Sequence, residues 1–179
     1  MIKDTVESFG WVSRLFHWVV ALMVLGMLMG GLLLGILPGG GFKSLITGLH
    51  KSTGVTILLL TALRLGWRYI NPRPRDLGPN ILENQLGRLM HIFLYVLLFL
   101  QPTFGILMSQ SFGSPVRVFG LFTLPTIVGR SDAVGSVFHQ MHTVTALLLA
   151  VCVVIHIAAA VKHHYIDRDR TLLRMISGK

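Results

Sequence analysis

The chain is 179 residues long, 53% hydrophobic and only 13% charged. A soluble domain carries nearly twice that share of charge, so the composition excludes an ordinary soluble globule and points to an integral membrane protein. The net charge of +9 gathers at the ends of apolar stretches, not in a basic patch interleaved with aromatics, which argues against nucleic-acid binding.

The N-terminal MIKDTVESFGW leads straight into an apolar run with no evident small-residue cleavage site. It reads as a retained first membrane helix and not as a removed signal peptide. Four stretches are long enough to cross a bilayer. The first runs from about Trp11 to Leu37 and stops at Pro38-Gly39-Gly40-Gly41; the second runs from about Ser44 to Ile70 and stops at Asn71-Pro72. The linker NPRPRDLGPNILENQLGR follows, and its prolines fit an extended surface loop. The third span covers about Leu89 to Gln110 with Pro102 inside it, a residue expected to kink the helix. A Gly- and Pro-containing loop, Ser111 to Ser136, has room for a short helix or a cap. The fourth span covers about Val137 to Lys162, and the tail DRDRTLLRMISGK reads as a short basic interfacial helix or a solvated end. The whole chain, 1–179, is expected to form a single all-α domain, a four-transmembrane-helix bundle.

Lysine and arginine set the orientation. One side holds Lys3, Arg14, Arg68, Arg73, Arg75, Arg88, Lys162, Arg168, Arg170, Arg174 and Lys179; the other holds Lys43, Lys51, Arg117 and Arg130. Both termini are therefore expected in the cytoplasm. The lone Cys152 excludes an intrachain disulfide and a cysteine-ligated cluster, and covalent haem attachment lacks its Cys-x-x-Cys-His run.

His142 and His156 stand fourteen residues apart in the fourth span. That is close to four helical turns, so both project from nearly one face, about 21 Å apart along the axis. Sorted by depth, His17 of the first span matches His156 on the cytoplasmic side, and His50 of the second matches His142 on the outer side. Imidazoles in lipid are costly and generally functional. Two bis-histidine layers suit two b-type haems, since haem iron takes axial imidazoles and its ring needs an apolar slot. Zinc or copper would need more than two ligands converging on one point. The plain alternative is four histidines hydrogen-bonded to neighbouring helices.

Gly48 and Gly54 around His50, and Gly26, Gly30 and Gly31 on the first span, leave room for a macrocycle or for another helix. Arg14, Lys51 and Arg64 are candidate propionate partners; Arg14 and Lys51 serve equally as interfacial anchors. Arg64 lies deeper than an anchor should and has no acid at its depth, so it pairs with a propionate or snorkels. His91 is a spare inner ligand, a propionate partner or a quinone contact. His163 and His164, beside Lys162, form a basic step able to hydrogen-bond a quinone carbonyl and pass protons, or simply a polar helix end. His139, one turn before His142, is an alternative outer ligand.

The runs RLFHW around His17, HKSTG around His50, GRLMHIFLYVLL around His91 and FGLFTLP in the outer loop occur in order. With the His142/His156 pair and the terminal AAAVKHHYIDRDRTLLRM, they resemble the bacterial cytochrome b561 family over nearly the whole chain. The resemblance implies two non-covalent b haems in the inner membrane and electron exchange with the quinone pool, with superoxide-to-ubiquinone transfer among the family's activities. Carried onto this sequence, His17 and His156 hold the inner haem iron, His50 and His142 the outer, and His163 contacts ubiquinone.

Three function classes follow. The first is an enzyme, a superoxide:ubiquinone oxidoreductase, with Lys43, Lys51, Arg117 and Arg130 steering a small anion to the outer mouth. Outer-sphere electron transfer needs no catalytic acid or base, which suits spans without carboxylates. The second is a haem-b electron-transfer subunit of a dehydrogenase- or hydrogenase-type complex with a protein partner. The third, a proton-coupled transporter, predicts no haem.

Overall fold

The computed structural model describes residues 1–78 and 81–178. Pro79 and Asn80 of the linker, and Lys179, expected among the cytoplasmic cations, lie outside the described residues. Four long helices form the body: α1 (Trp11–Ile36), α2 (Gly41–Tyr69), α3 (Ile81–Ser111) and α4 (Asp132–Tyr165), with a short α5 (Thr171–Ile176) behind them. All four are long and apolar enough to cross a membrane. Their outward faces are correspondingly apolar, with Leu22 67%, Leu32 71% and Leu147 67% exposed. In lipid such a face carries no penalty.

Local chemistry sets the ends. α1 stops before Pro38, which disfavours helical geometry at the residue preceding it. The chain then reverses through Gly40, whose φ of 145° only glycine adopts readily. α4 opens on Ser131, whose hydroxyl accepts the Val134 amide at 3.4 Å, with Asp132 in the first turn against the helix dipole. α3 continues as helix through Pro102. It also begins eight residues before the expected third span, so Ile81–Arg88, read from sequence as linker, forms its first two turns. Those turns are polar because they lie beyond the apolar stretch.

The loop between α3 and α4 forms no helix; it caps that end of the bundle. It folds into a small antiparallel hairpin, β1 (Arg117–Val118) and β2 (Phe122–Thr123), in the register Arg117↔Thr123 and Val118↔Phe122. Phe119 (φ 49°) and Gly120 (φ 75°) make the turn. Val116 and Val118 are buried beneath it. Ser52 of α2 joins the hairpin to the bundle: its hydroxyl donates to the Arg117 carbonyl at 3.2 Å and accepts the Phe119 amide at 2.9 Å.

At the opposite end the termini and the α2–α3 linker knit together. Asp4 accepts the Gly10 amide and the Ser13 hydroxyl, each at 2.7 Å. The Arg75 amide donates to Val6, and Arg174 donates to the Arg75 carbonyl. α3 packs along α4, α1 along α2, and α2 along α3, while α4 makes no comparably close backbone approach to α1 or α2. Between the two ends lies a dry core of Val20, Val24, Ile57, Leu97, Leu98 and Leu149, one or more from each long helix. Leu149 sits seven residues from both His142 and His156, so this core separates two histidine layers along α4.

Candidate haem sites

Antiparallel helices bring residues distant in sequence to one depth. The His17 and His156 ring centres lie 6.2 Å apart at the terminus-bearing end, edge to face. Those of His50 and His142 lie 6.3 Å apart at the hairpin end. Two imidazoles binding one metal from opposite sides at about 2 Å per bond have ring centres about 6 Å apart, so both pairs have the required spacing. The residues fit haem in other respects. His50 Nδ1 is buried and has no hydrogen-bond partner among the described residues. A Cβ on Gly31 would stand 3.7 Å from the His50 ring, and one on Gly30 4.0 Å. A groove of about 270 Å³, lined by Met23, Gly26, Met27 and Gly30, opens beside His50.

The other glycines divide by role. Gly54 faces Met27 and Pro102, so it serves packing between helices; Gly26 and Gly48 have none of the described residues within 4 Å of an added Cβ. Gly105 of α3 belongs to the site although sequence reasoning passed over it. A Cβ there would come within 3.0 Å of the His142 ring.

Among the candidate propionate partners, Arg14 donates to the Ile176 carbonyl at 2.8 Å, clamping α5 to the start of α1. Lys51 donates to the Ser114 hydroxyl at 2.8 Å under the hairpin. Arg64 meets His17 Nδ1 at 3.1 Å and lies 5.5 Å from the Tyr95 ring centre. Arginine has only donors, so Nδ1 is the acceptor there. Of the candidate steering cations, Lys43 donates to the Leu37 carbonyl at 2.9 Å. Arg117 and Arg130 are exposed.

The remaining histidines separate clearly. His91 joins the terminus-end layer, its ring centre 5.5 Å from that of His156. It also lines a groove of about 430 Å³ between α2 and α3, with Arg68, Tyr69, Tyr95 and Phe99. Arg68 and Tyr95 were not anticipated; only the folded chain shows that they flank His91. His139 is exposed, with Nδ1 3.4 Å from Met108 Sδ. The ring facing His50 is that of His142. His164 stacks edge-on against Tyr165 at 4.8 Å.

His163 donates to Asp169 Oδ2 at 2.7 Å, while Lys162 bridges Glu83 at 3.0 Å and Asp167 at 2.8 Å. Burial raises the Asp169 pKa, but hydrogen bonds from Thr171 and His163 outweigh it and hold the carboxyl below its ordinary value. A depressed folded-state pKa stabilises above the unfolded value of about 3.9 and is lost as pH falls through the folded value. The turn between α4 and α5 should thus loosen only below about pH 4. Cleavage of residues 166–170 by an acid-active protease should rise in that range and should start from a higher level in Asp169→Asn. Equal cleavage profiles for the two proteins would reject the assignment.

A four-helix membrane bundle with a facing histidine pair near each end has the architecture of a membrane cytochrome of the b type. Comparison with known proteins agrees. The chain belongs to the prokaryotic cytochrome b561 family, whose model matches residues 8–178. It is 35% identical over 175 residues to cytochrome b561 homolog 2 of Escherichia coli (strain K12), covering 97% of this chain and 93% of that protein. It is 28% identical to cytochrome b561 homolog 1 of the same organism, covering 89% and 92% of the two chains. It is 29% identical to the probable superoxide oxidase CybB of Yersinia pestis, covering 91% and 92%. The protein is therefore a multi-pass bacterial membrane protein of a haem-b family with an electron-transfer role.

Proposed function

We propose that this protein is a di-haem b cytochrome of the inner membrane, with both termini cytoplasmic, carrying electrons from periplasmic superoxide to ubiquinone. The observation that carries the reading is the pair of facing imidazole couples near opposite ends of α4. His17 and His156 would hold the inner haem, and His50 and His142 the outer. Haem b, when bound, supplies reversible one-electron storage without proton chemistry of its own. The chain's task is to hold the two groups apart in a dry medium, and the core around Leu149 does so.

The donor assignment rests on charge and on relatives. Lys51, Arg117 and Arg130 surround the hairpin end, and cations at a low-dielectric mouth raise the encounter rate of a small anion. The relative from Yersinia pestis carries the name probable superoxide oxidase. For the acceptor, the α2–α3 groove has His91 in its wall, with its ring centre 5.5 Å from that of His156. A flat apolar molecule with carbonyl acceptors suits its aromatic lining and the donors of Arg68 and Tyr95. His163 and His164, about two turns beyond His156 on α4, would serve as further quinone contacts.

Superoxide generated beside the purified, oxidised protein should reduce its haem, and added ubiquinone should reoxidise it. Reduction no faster than in His142→Ala, or unaffected by superoxide dismutase, would reject superoxide as donor. One feature favours a second reading, the haem subunit of a larger complex: the hairpin exposes Phe119 by 53%, Leu121 by 82% and Phe122 by 54%. A partner co-purifying in mild detergent, and lost when Leu121 and Phe122 become serine, would support it.

A further inference from the structure

His142 is held from α3, a helix that brings no imidazole of its own to the hairpin-end layer. Its Nδ1 lies 2.9 Å from the backbone carbonyl of Gln101. A carbonyl only accepts, so Nδ1 carries the proton and Nε2 presents a bare lone pair. That is the tautomer a metal needs when it binds through Nε2. The Gln101 side chain then donates its amide N–H to that lone pair at 3.2 Å. Its own oxygen meets the hydroxyl of Thr145, one turn further along α4 and buried. Gly105, one turn beyond Gln101 on α3, lets the ring lie against the backbone. His50 differs: its Nδ1 has no hydrogen-bond partner among the described residues.

We propose that Gln101 is the positioning residue of the outer haem site. Its carbonyl fixes the tautomer and the donor strength of His142. Its side-chain amide, anchored by Thr145, satisfies the ligating nitrogen until iron takes its place. A buried polar pair in a membrane interior is costly unless every member is satisfied, and this set closes on itself. A hydrogen bond from the ligand's second nitrogen to a carbonyl makes imidazole more basic and stabilises the oxidised metal. The outer site is accordingly biased toward giving up its electron, which suits a centre placed first in an inward path. The inference rests on the proposed His50/His142 ligation.

Two variants test it by separate readouts. Gly105→Ala puts a methyl group against the His142 ring and should move it off the carbonyl. Potentiometric titration should then show the outer haem's midpoint raised and the inner one unchanged. Thr145→Val keeps the side-chain shape and removes the anchor that holds the Gln101 amide on the ligating nitrogen; haem titration into the unloaded protein should show outer-site affinity raised, because a competitor for that lone pair is released. An unchanged outer midpoint in Gly105→Ala would overturn the carbonyl's role, and an unchanged affinity in Thr145→Val that of the side chain. His142→Ala separates the two levels. If it retains both haems, the ligation itself is wrong; if it loses one while both variants behave as wild type, only the role of Gln101 fails.

Discussion

His142→Ala should lower the haem content from about two per chain to about one, leaving a fully reducible inner haem. The two layers are structurally independent, because the core of Val20, Val24, Ile57, Leu97, Leu98 and Leu149 fills the space between them. Loss of one ring leaves that core intact, so the remaining pair keeps its spacing. No exchange of ligands should rescue the outer site, since the nearby His139 is exposed and engaged with Met108. The inner layer differs, for it holds three imidazoles. With His91 5.5 Å from His156, His156→Ala should retain a fraction of weakly bound inner haem, and the His91→Ala/His156→Ala double variant should retain none. His91→Ala alone should keep both haems. Haem-to-protein ratios from the reduced-minus-oxidised spectrum decide this. A His91→Ala variant missing one haem beside a fully loaded His156→Ala would transfer the ligand role to His91.

The four spans were legible because a bilayer imposes a length and a composition that sequence displays directly. The depth pairing was legible for a related reason: antiparallel helices of similar length convert distance from a span end into depth, and His17, His50, His142 and His156 each lie five or six residues inside. What sequence concealed lies where no periodic pattern operates. The first two turns of α3, Ile81–Arg88, read as linker because helix beyond the membrane needs no apolar face. The hairpin at 117–123 consists of two-residue strands, too short for an alternating signal. It also depends on Ser52, which is distant in the chain. Gln101 was not legible because one of its contacts is through a backbone carbonyl, which every residue has, and the other depends on α4 packing beside it. Arg14 stood out in the sequence by position alone, and its contact with the Ile176 carbonyl depends on a tail 162 residues away.

Arg64→Leu should weaken inner-haem binding by about 10- to 100-fold, the cost of losing an outer-shell partner, while the outer site binds normally. In this structure the Arg64 guanidinium donates to His17 Nδ1 at 3.1 Å and lies against Tyr95. That contact requires Nδ1 to be an acceptor. Binding iron through Nε2 places the proton on Nδ1, and two donors then face one another. The guanidinium must turn to another acceptor. No carboxylate stands at its depth, since the acids of the four helices are Glu83 and Asp132, both near helix starts. A haem propionate is a carboxylate, and a guanidinium matches it in two parallel hydrogen bonds. Arg64→Lys should therefore restore little, because an ammonium offers a point charge without the fork or the planar face that rests on Tyr95. Removing a fixed cation from a low-dielectric site should also lower the inner haem's midpoint relative to the outer one, since the cation favours the reduced state. Haem titration and potentiometry on the same preparation measure both effects. Unchanged affinity and midpoint in Arg64→Leu would mean that the side chain reaches to the interface and takes no part in the site.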